Sequence, residues 1–244
     1  MSDGRFFIAY TITFDDGRSR RFEARLHPDT LDLISAVPSN PPAWTALEHH
    51  RCPNCPLDPA ATTRCPVAVN LADLIDFFSD AKSHVEVDVR IETNQRDYFR
   101  RVPLQNVASS LMGIYMVTSG CPILNKMRPM VETHLPFATW QETTYRMISM
   151  YLMAQFFNYK EGGKPDWDLT RLVEFFQDVH QVNNAFFARL DSVRLSDSSE
   201  AGLNGVSILN ASVNLACMSI EMNDLEHWRK LFLAHWGEGG RSQT

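Results

Sequence analysis

Two stretches near the start of the chain alternate hydrophobic and polar residues with a period of two. In residues 6–14 every second side chain is large and hydrophobic, and residues 20–26 repeat the pattern with charged residues between. A period of two is that of a β-strand with one buried face. The segment Asp15-Asp16-Gly17 between the two stretches is typical of a tight turn. The pattern therefore predicts a β-hairpin with one buried face and one solvent-exposed face.

A second pair of alternating stretches follows at residues 84–92 and 97–102, separated by a short polar segment. It predicts a second hairpin, and together the two hairpins predict a small antiparallel sheet of four strands. The segment between the hairpins, residues 37–66, contains seven prolines and three cysteines. So many prolines exclude long regular structure there. A helix is expected to follow, with Asn70 as its N-cap.

Hydrophobic residues recur at helical spacing from residue 105 onward. The pattern predicts helices at 105–118, 122–133, 139–160, 166–193, 206–220 and 223–236, with a polar loop at 196–205. Thr139 and Glu142 have the spacing of a capping box, and the nearly all-apolar 206–220 helix is expected to be central.

The predicted fold class is therefore α+β: a small antiparallel sheet of two β-hairpins followed by an α-helical bundle. Residues 1–104 carry the hairpins and the cysteine- and proline-rich loop at 37–66, and residues 105–244 form the bundle. We expect the two parts to form one compact unit.

Composition and charge narrow the class of protein. The net charge is −6 with 21% charged residues, whereas general nucleic-acid binders are usually basic, so we expect no nucleic-acid partner. A local basic cluster is interspersed with acidic residues and is interpreted as a solvated strand face; it comprises Arg18, Arg20, Arg21 and Arg25. Without a signal-peptide pattern or a long apolar stretch, we expect a cytoplasmic protein with no membrane partner. In a reducing compartment, clustered cysteines favour metal binding over disulfides.

The most informative motif is a set of four cysteines, Cys52, Cys55, Cys65 and Cys121. The first two have the C-x2-C spacing that allows two thiolates to bind one ion or cluster from a single turn. Cys65 lies on the same loop, and Cys121 precedes a predicted helix whose positive dipole end favours a thiolate. Four thiolates are the usual complement of a structural zinc ion or a [4Fe–4S] cluster.

Each of these four cysteines is followed by proline, whereas average composition predicts about 0.3 such pairs among five cysteines. Cysteine followed by proline is familiar from iron–sulfur ferredoxins. This favours a [4Fe–4S] cluster, and structural zinc is the alternative. His49 and His50 precede the two cysteines of the C-x2-C pair. One of them could replace a cysteine as a ligand, or hydrogen-bond to a ligand and tune the site. The alternative is that they lie at the C-terminus of a helix, where histidine is favourable. Cys217 lies in an apolar run and is expected to be a core thiol.

Polar residues that interrupt the apolar faces of the later helices suggest a pocket in the helical half, with His180, Asn183 and Tyr145 as candidates. Mutual hydrogen bonding in the core is the alternative explanation. His227-Trp228 and His235-Trp236 recur on one helix face, which either binds a protein partner or packs on the bundle. The sequence has none of the common nucleotide-binding or hydrolase motifs, so a non-enzymatic role is favoured.

The segment HHRCPNCPL, residues 49–57, resembles a segment in a group of bacterial proteins of unassigned function, and the resemblance implies no activity. From the residues themselves, three hypotheses follow. The first is an iron–sulfur protein that senses redox state or relays electrons, with a protein partner or a second copy of itself. The second is a non-enzymatic adaptor with a structural zinc site of four cysteines, or of three cysteines and one histidine. The third is an enzyme that uses the pocket in the helical half.

Overall fold

The four predicted strands form one antiparallel sheet in the computed structural model, which describes residues 6–34, 40–79, 82–193, 200–222 and 225–236. The strands are β1 (Phe6–Thr13), β2 (Ser19–Leu26), β3 (Glu86–Thr93) and β4 (Asp97–Pro103). Their order in the sheet is β2-β1-β3-β4, so that β1 pairs with its hairpin partner on one side and with β3 on the other. Both predicted hairpins are confirmed, and the pairing of β1 with β3 joins them.

The two faces of the sheet differ as the alternation predicts. Ile8, Tyr10 and Ile12 are at most 1% exposed on the inner face. The basic cluster is paired with carboxylates. Arg21 and Arg25 lie on the solvated outer face of β2, whereas Arg18 lies in the turn before the strand and Arg20 lies at its exposed end on the face of Phe22. The pairs are Arg18 with Asp16, Arg20 with Asp73, Arg21 with Glu23 and Glu92, and Arg25 with Glu23.

Helices make up the rest of the fold, which confirms the α+β class. They are α1 (Pro66–Ser79), α2 (Leu104–Val117), α3 (Trp140–Lys160), α4 (Thr170–Ser192), α5 (Glu200–Glu221) and α6 (Glu226–Trp236). Two 3₁₀ segments cover Ala43–Thr45 and Leu124–Val131. The α5 helix contacts α1, α2, α3 and α4, so its predicted central position is confirmed. No helix in the described part of the chain has both the length and the hydropathy that a bilayer-spanning helix requires.

Two helix starts differ from the prediction. Helix α1 begins at Pro66 rather than after Asn70, because a proline in the first turn needs no hydrogen-bonded N–H and already has a helical φ. Helix α4 begins at Thr170 rather than at residue 166, since Leu169 adopts a left-handed conformation with φ of 62°. The predicted start of α3 is confirmed, with the complete capping box between Thr139 and Glu142.

Three further segments also need correction. The helix predicted at 122–133 is a 3₁₀ segment at Leu124–Val131, where Pro129 prevents continuous α-helical hydrogen bonding. The loop predicted at 196–205 is helical from Glu200 onward, and its residues 196–199 lie outside the described residues. The last helix, predicted at 223–236, begins at Glu226 as α6, and residues 223 and 224 lie outside the described residues.

One hydrophobic cluster extends from the sheet into the bundle. It includes Val89 of β3, Leu71 of α1, Leu111 of α2, Phe176 of α4 and Ala216 of α5, all at most 1% exposed. The cluster therefore continues across residue 104, where the sequence pattern changes from strands to helices. The cysteine- and proline-rich loop packs against this core, with Cys52 and Cys65 at its edge.

Candidate metal centre

The four cysteines predicted as ligands line one small cavity of about 20 Å³, although they come from three separate segments of the chain. We refer to Cys52, Cys55, Cys65 and Cys121 around this cavity as the cysteine site. All four thiols are free and half-buried. The remaining walls are mostly apolar, with a single charged side chain; they comprise Pro56, Leu57, Pro66, Val67, Ile123, Val182, Phe186 and Arg189.

The first two cysteines lie on a tight turn that is docked onto α4. The Cys55 N–H donates to the Cys52 carbonyl at 3.1 Å, which closes the turn. Asn54, within the turn, donates through Nδ2 to the backbone carbonyl and to Oδ1 of Asp178, each at 3.1 Å. Arg51 donates to the carbonyls of Cys55 and Leu57 at 3.2 and 2.7 Å. The proline-rich loop is therefore fixed by hydrogen bonds rather than by regular structure.

Cys65 immediately precedes α1. Its N–H donates to the Thr45 carbonyl at 2.8 Å, and its own carbonyl accepts from the Val69 N–H at 3.0 Å as the first bond of the helix. Pro66 is the first residue of α1. The Cys-Pro pair thus places the Cys65 thiol at the N-terminus of α1.

Cys121 lies at a sharp bend between α2 and the 3₁₀ segment Leu124–Val131. Gly120 has φ of 90°, a left-handed conformation that glycine adopts without the steric cost of a Cβ. Burial raises the pKa of the Cys121 thiol, and hydrogen bonds from the N–H groups of Leu124 and Ile123 act in the opposite direction. Two main-chain donors therefore already point to this sulfur.

Two of the thiols at this site, those of Cys52 and Cys121, are hard to ionise without a cation because burial raises the pKa of each. Burial, followed by the like charge that thiolates at Cys65, Cys121 and Cys55 would carry, raises the pKa of Cys52 to about 12. A bound metal reverses this effect, since a thiolate that coordinates a cation is fully deprotonated. Within the described ranges, however, no group of three His, Cys, Asp or Glu side chains is arranged so that it could hold a metal ion.

Arg189 of α4 is a site residue that the sequence did not reveal. It is 2% exposed, and its guanidinium donates to the carbonyls of Trp44, Ala46 and Leu47 at 2.6, 2.7 and 3.3 Å. Burial lowers the pKa of Arg189, while the neighbouring Cys65, Cys52 and Cys55 act to raise it.

No carboxylate among the described residues forms an ion pair with Arg189, although buried charges are usually paired. Four thiolates outweigh the positive charge of either a zinc ion or a cubane cluster. The donor set and this buried cation suit a negatively charged metal–thiolate centre by their chemistry, although the described side chains are not arranged around an ion. In such a centre Cys52, Cys55, Cys65 and Cys121 would hold the metal, and Arg189 would balance the excess charge.

The two candidate histidines do not line the cavity. His49 Nε2 is hydrogen-bonded to Ser192 Oγ at 2.8 Å, and its ring packs edge-on against His50 with centroids 4.9 Å apart. Burial and then the charge of Arg189 lower the pKa of His49, which favours its neutral form. The structure thus places His49 beside Arg189, outside the ring of four cysteines. Cys217 lies on α5 and packs half-buried against the core.

The three residues suggested for a pocket in the helical half do not meet in one place. Asn183 lines a cavity of about 230 Å³ between the helices. His180 instead bonds to Asn210 and Asn184, at 3.1 and 2.9 Å. Tyr145 lies on the surface of α3, 44% exposed, against aromatic rings of α6.

Fold and site together define an α+β protein with four cysteines around one small buried cavity. Residues 8–232 match the model of a family described as a domain of unknown function, DUF6901, and the chain belongs to this family. The predicted resemblance to a family of unassigned function is thereby confirmed. Comparison with curated proteins and with solved structures gave no match.

Proposed function

We propose that the protein binds an iron–sulfur cluster, most simply [4Fe–4S], at the cysteine site, and that it senses redox state or relays electrons. The observation that carries the proposal is the convergence of four cysteines from three segments on one apolar cavity. The cavity is also lined by Arg189, whose cation has no carboxylate partner among the described residues. A cluster of this kind, when bound, takes up and releases single electrons.

Each residue around the cavity has a distinct task in this proposal. A proline follows each of the four ligands and stiffens the backbone beside it; these are Pro53, Pro56, Pro66 and Pro122. The N–H groups of Ile123 and Leu124 donate to the Cys121 sulfur, which stabilises its anionic form. Arg189 adds positive charge at the buried end of the cavity, which favours the more negative, reduced state of a cluster.

Zinc held by the same cysteines is the competing outcome, and the Cys-Pro pairs favour the cluster. The decisive experiment is anaerobic purification of the full chain, followed by a visible absorption spectrum and analysis for iron, acid-labile sulfide and zinc. We expect a broad brown absorbance with iron and sulfide in equal amounts. A colourless protein with one zinc ion per chain would overturn the cluster and leave a structural zinc site.

A protein partner or a second copy of the chain belongs to the same proposal. The α6 helix contributes no buried residue among those described, and four of its large apolar side chains are 49–86% exposed: Leu231, Phe232, Leu233 and Trp236. Apolar surface of this kind often marks an interaction site. Light scattering during gel filtration of the wild-type chain and of the Trp236→Glu variant tests for self-association. A monomer in both samples excludes a second copy as the partner.

A further inference from the structure

The helical bundle contains a second, larger cavity of about 230 Å³, which lies between α2, the 3₁₀ segment Leu124–Val131, α4 and α5. Its walls are predominantly apolar, and six of the side chains that form them are Ile114, Leu124, Met127, Met130, Val131 and Val179. Half-buried residues at its edge, including Asn106 and Ser109, connect it to solvent. Its volume is slightly below the range of about 300–1,000 Å³ that is typical for drug-sized ligands, so a small molecule would fit.

Asn183 places an unsatisfied hydrogen-bond donor at this cavity. The residue is 1% exposed, and its buried Nδ2 has no hydrogen-bond partner in the described part of the chain. A buried amide without a partner costs about 1–3 kcal/mol. An acceptor atom on a bound molecule would recover that free energy, which makes the amide a recognition group.

Arg146 of α3 supplies a positive charge to the same cavity and to an adjoining one of about 250 Å³. Its Nη2 donates to the carbonyls of Met130 and Thr133 at 2.7 and 3.0 Å, whereas its buried Nε has no partner among the described residues. The nearby Glu142 accepts from the Thr139 N–H at 2.8 Å in the capping box. No aspartate or glutamate is among the described residues that line the 230 Å³ cavity.

The other titratable group of the cavity wall, His134, adds no charge. Its Nε2 is hydrogen-bonded to the Tyr10 hydroxyl at 2.6 Å, and Tyr10 is bonded in turn to Ser110 at 2.7 Å. Burial, followed by the charge of Arg146, lowers the pKa of His134 to about 3, so the ring is neutral at pH 7. The described part of the cavity therefore combines apolar walls with the cation of Arg146 and the buried, unpartnered amide of Asn183.

We propose that this cavity binds a small monocarboxylate with an apolar body. The carboxylate would pair with Arg146, Asn183 would donate to an oxygen of the ligand, and the apolar body would lie among the methionine and aliphatic side chains of the wall. An arginine suits a carboxylate because its charge is permanent and strengthens a hydrogen bond to the anion, and the Nε–H of Arg146 has no partner among the described residues. The proposal holds whichever metal occupies the cysteine site.

The test is isothermal titration calorimetry of the full chain, as purified, with four probes. Octanoate has a linear alkyl group as its apolar body and 4-phenylbutyrate has an aromatic ring, so the two probes show which shape the cavity prefers. Octanol and octanamide are the neutral controls. We expect the better carboxylate to bind at least about tenfold more tightly than either neutral probe, since an ionised acceptor strengthens the hydrogen bonds. Equal affinity for octanoate and octanol, or no binding of any probe, would overturn the proposal.

Two variants locate the binding groups. Arg146→Met should reduce the affinity for the carboxylate to that for octanol, and Asn183→Leu should weaken carboxylate binding about tenfold. Asn184→Leu is the matched control, because Asn184 is the next residue on α4 but bonds to His180 rather than lining the cavity. If Arg146→Met does not fold, Asn183→Leu still decides: unchanged carboxylate affinity in that variant would refute the assigned site.

Discussion

The cysteine site and the 230 Å³ cavity, called the carboxylate cavity here after its proposed ligand, share helix α4, but they are built from different kinds of structure. On α4, Val182 faces the cysteine site while Asn183 and Val179 line the carboxylate cavity. The cysteine site is formed mainly by loop segments, which main-chain hydrogen bonds and Arg189 hold in place. The carboxylate cavity lies between regular helices whose apolar faces also form the core.

This difference indicates which interactions each site depends on. A loop rich in proline has little core of its own, so the free energy of binding the proposed metal would contribute directly to its folding. The walls of the carboxylate cavity belong to the central hydrophobic cluster and need no ligand to stay folded. Changes at the cysteine site should therefore affect stability strongly, and changes at the cavity should affect it mildly.

The largest expected effect comes from removing a metal ligand. Cys65→Ala should lose the bound metal and several kcal/mol of stability, which corresponds to a melting temperature lower by at least about 10 °C for a chain of this size. Calorimetry together with elemental analysis measures both effects. Cys217→Ala is the control, since this thiol lies on α5 away from the cysteine site. Full metal content in Cys65→Ala would contradict the assignment of this ligand.

The second effect tests Arg189. Arg189→Met removes the hydrogen bonds to three buried carbonyls and the charge beside the cysteines, so we expect a loss of about 3–5 kcal/mol in the free energy of unfolding. Urea unfolding followed by circular dichroism measures this loss. Arg171→Met, at an exposed arginine at the start of the same helix, should cost less than about 1 kcal/mol. Similar costs for both variants would exclude a special role for Arg189.

Much of this arrangement follows from the sequence pattern, and the exceptions have physical causes. Alternation identified β1, β2 and β3, and β4 was expected as the returning strand of the second hairpin although its residues do not alternate strictly. The C-x2-C spacing with the Cys-Pro pairs identified the four cysteines that line one cavity. Arg189 was missed because the carbonyls that it binds are 142–145 positions away in sequence, a separation that no local pattern reveals. A charged residue among the apolar positions of α4, between Phe186 and Leu190, was the only available signal.

Helix periodicity also has limits as a guide to pockets. It marked Asn183 and His180 as polar residues on an apolar face, but a difference of three residues rotates them by about 60° on the helix. That rotation is sufficient to place His180 against Asn210 and Asn184, outside the cavity that Asn183 lines. The 3₁₀ character of Leu124–Val131 was likewise hidden, although Pro129 is a signal against an α-helix.

A third effect, smaller than that of Arg189 within any one pH unit, concerns pH and the wall of the carboxylate cavity. The pKa of His134 is lowered from 6.5 to about 3, so the unfolded chain binds this proton more readily than the folded chain does. The contribution of His134 to the free energy of unfolding is therefore fully present above pH 6.5. It declines as the pH falls toward 3, by at most about 1.4 kcal/mol per pH unit.

His134→Gln should flatten this part of the stability profile, which urea unfolding at a series of pH values measures. His84→Gln, at an exposed histidine, should retain the wild-type slope. The same slope in both variants and in the wild type would show that His134 does not titrate as the structure implies.

The smallest effect tests how the cysteine turn is attached. Asn54→Ala removes the two hydrogen bonds to Asp178 and should cost about 1 kcal/mol, while the metal content stays unchanged because all four thiols remain. Parallel measurement of metal content and thermal unfolding distinguishes docking from ligation. Loss of metal in this variant would show that the turn needs α4 in order to hold its ligands.

The 3₁₀ segment Leu124–Val131 has a consequence for how the two sites communicate. It follows directly from Cys121, and Leu124, Met127, Met130 and Val131 form part of the wall of the carboxylate cavity. A movement of Cys121 on loss of the proposed metal would therefore reach that wall through a short helix with weak internal hydrogen bonding. If loss of the metal lowered the affinity of the cavity for its ligand, thermodynamic linkage would require the reverse effect as well. The bound ligand would then raise the affinity of the cysteine site for the metal by the same factor.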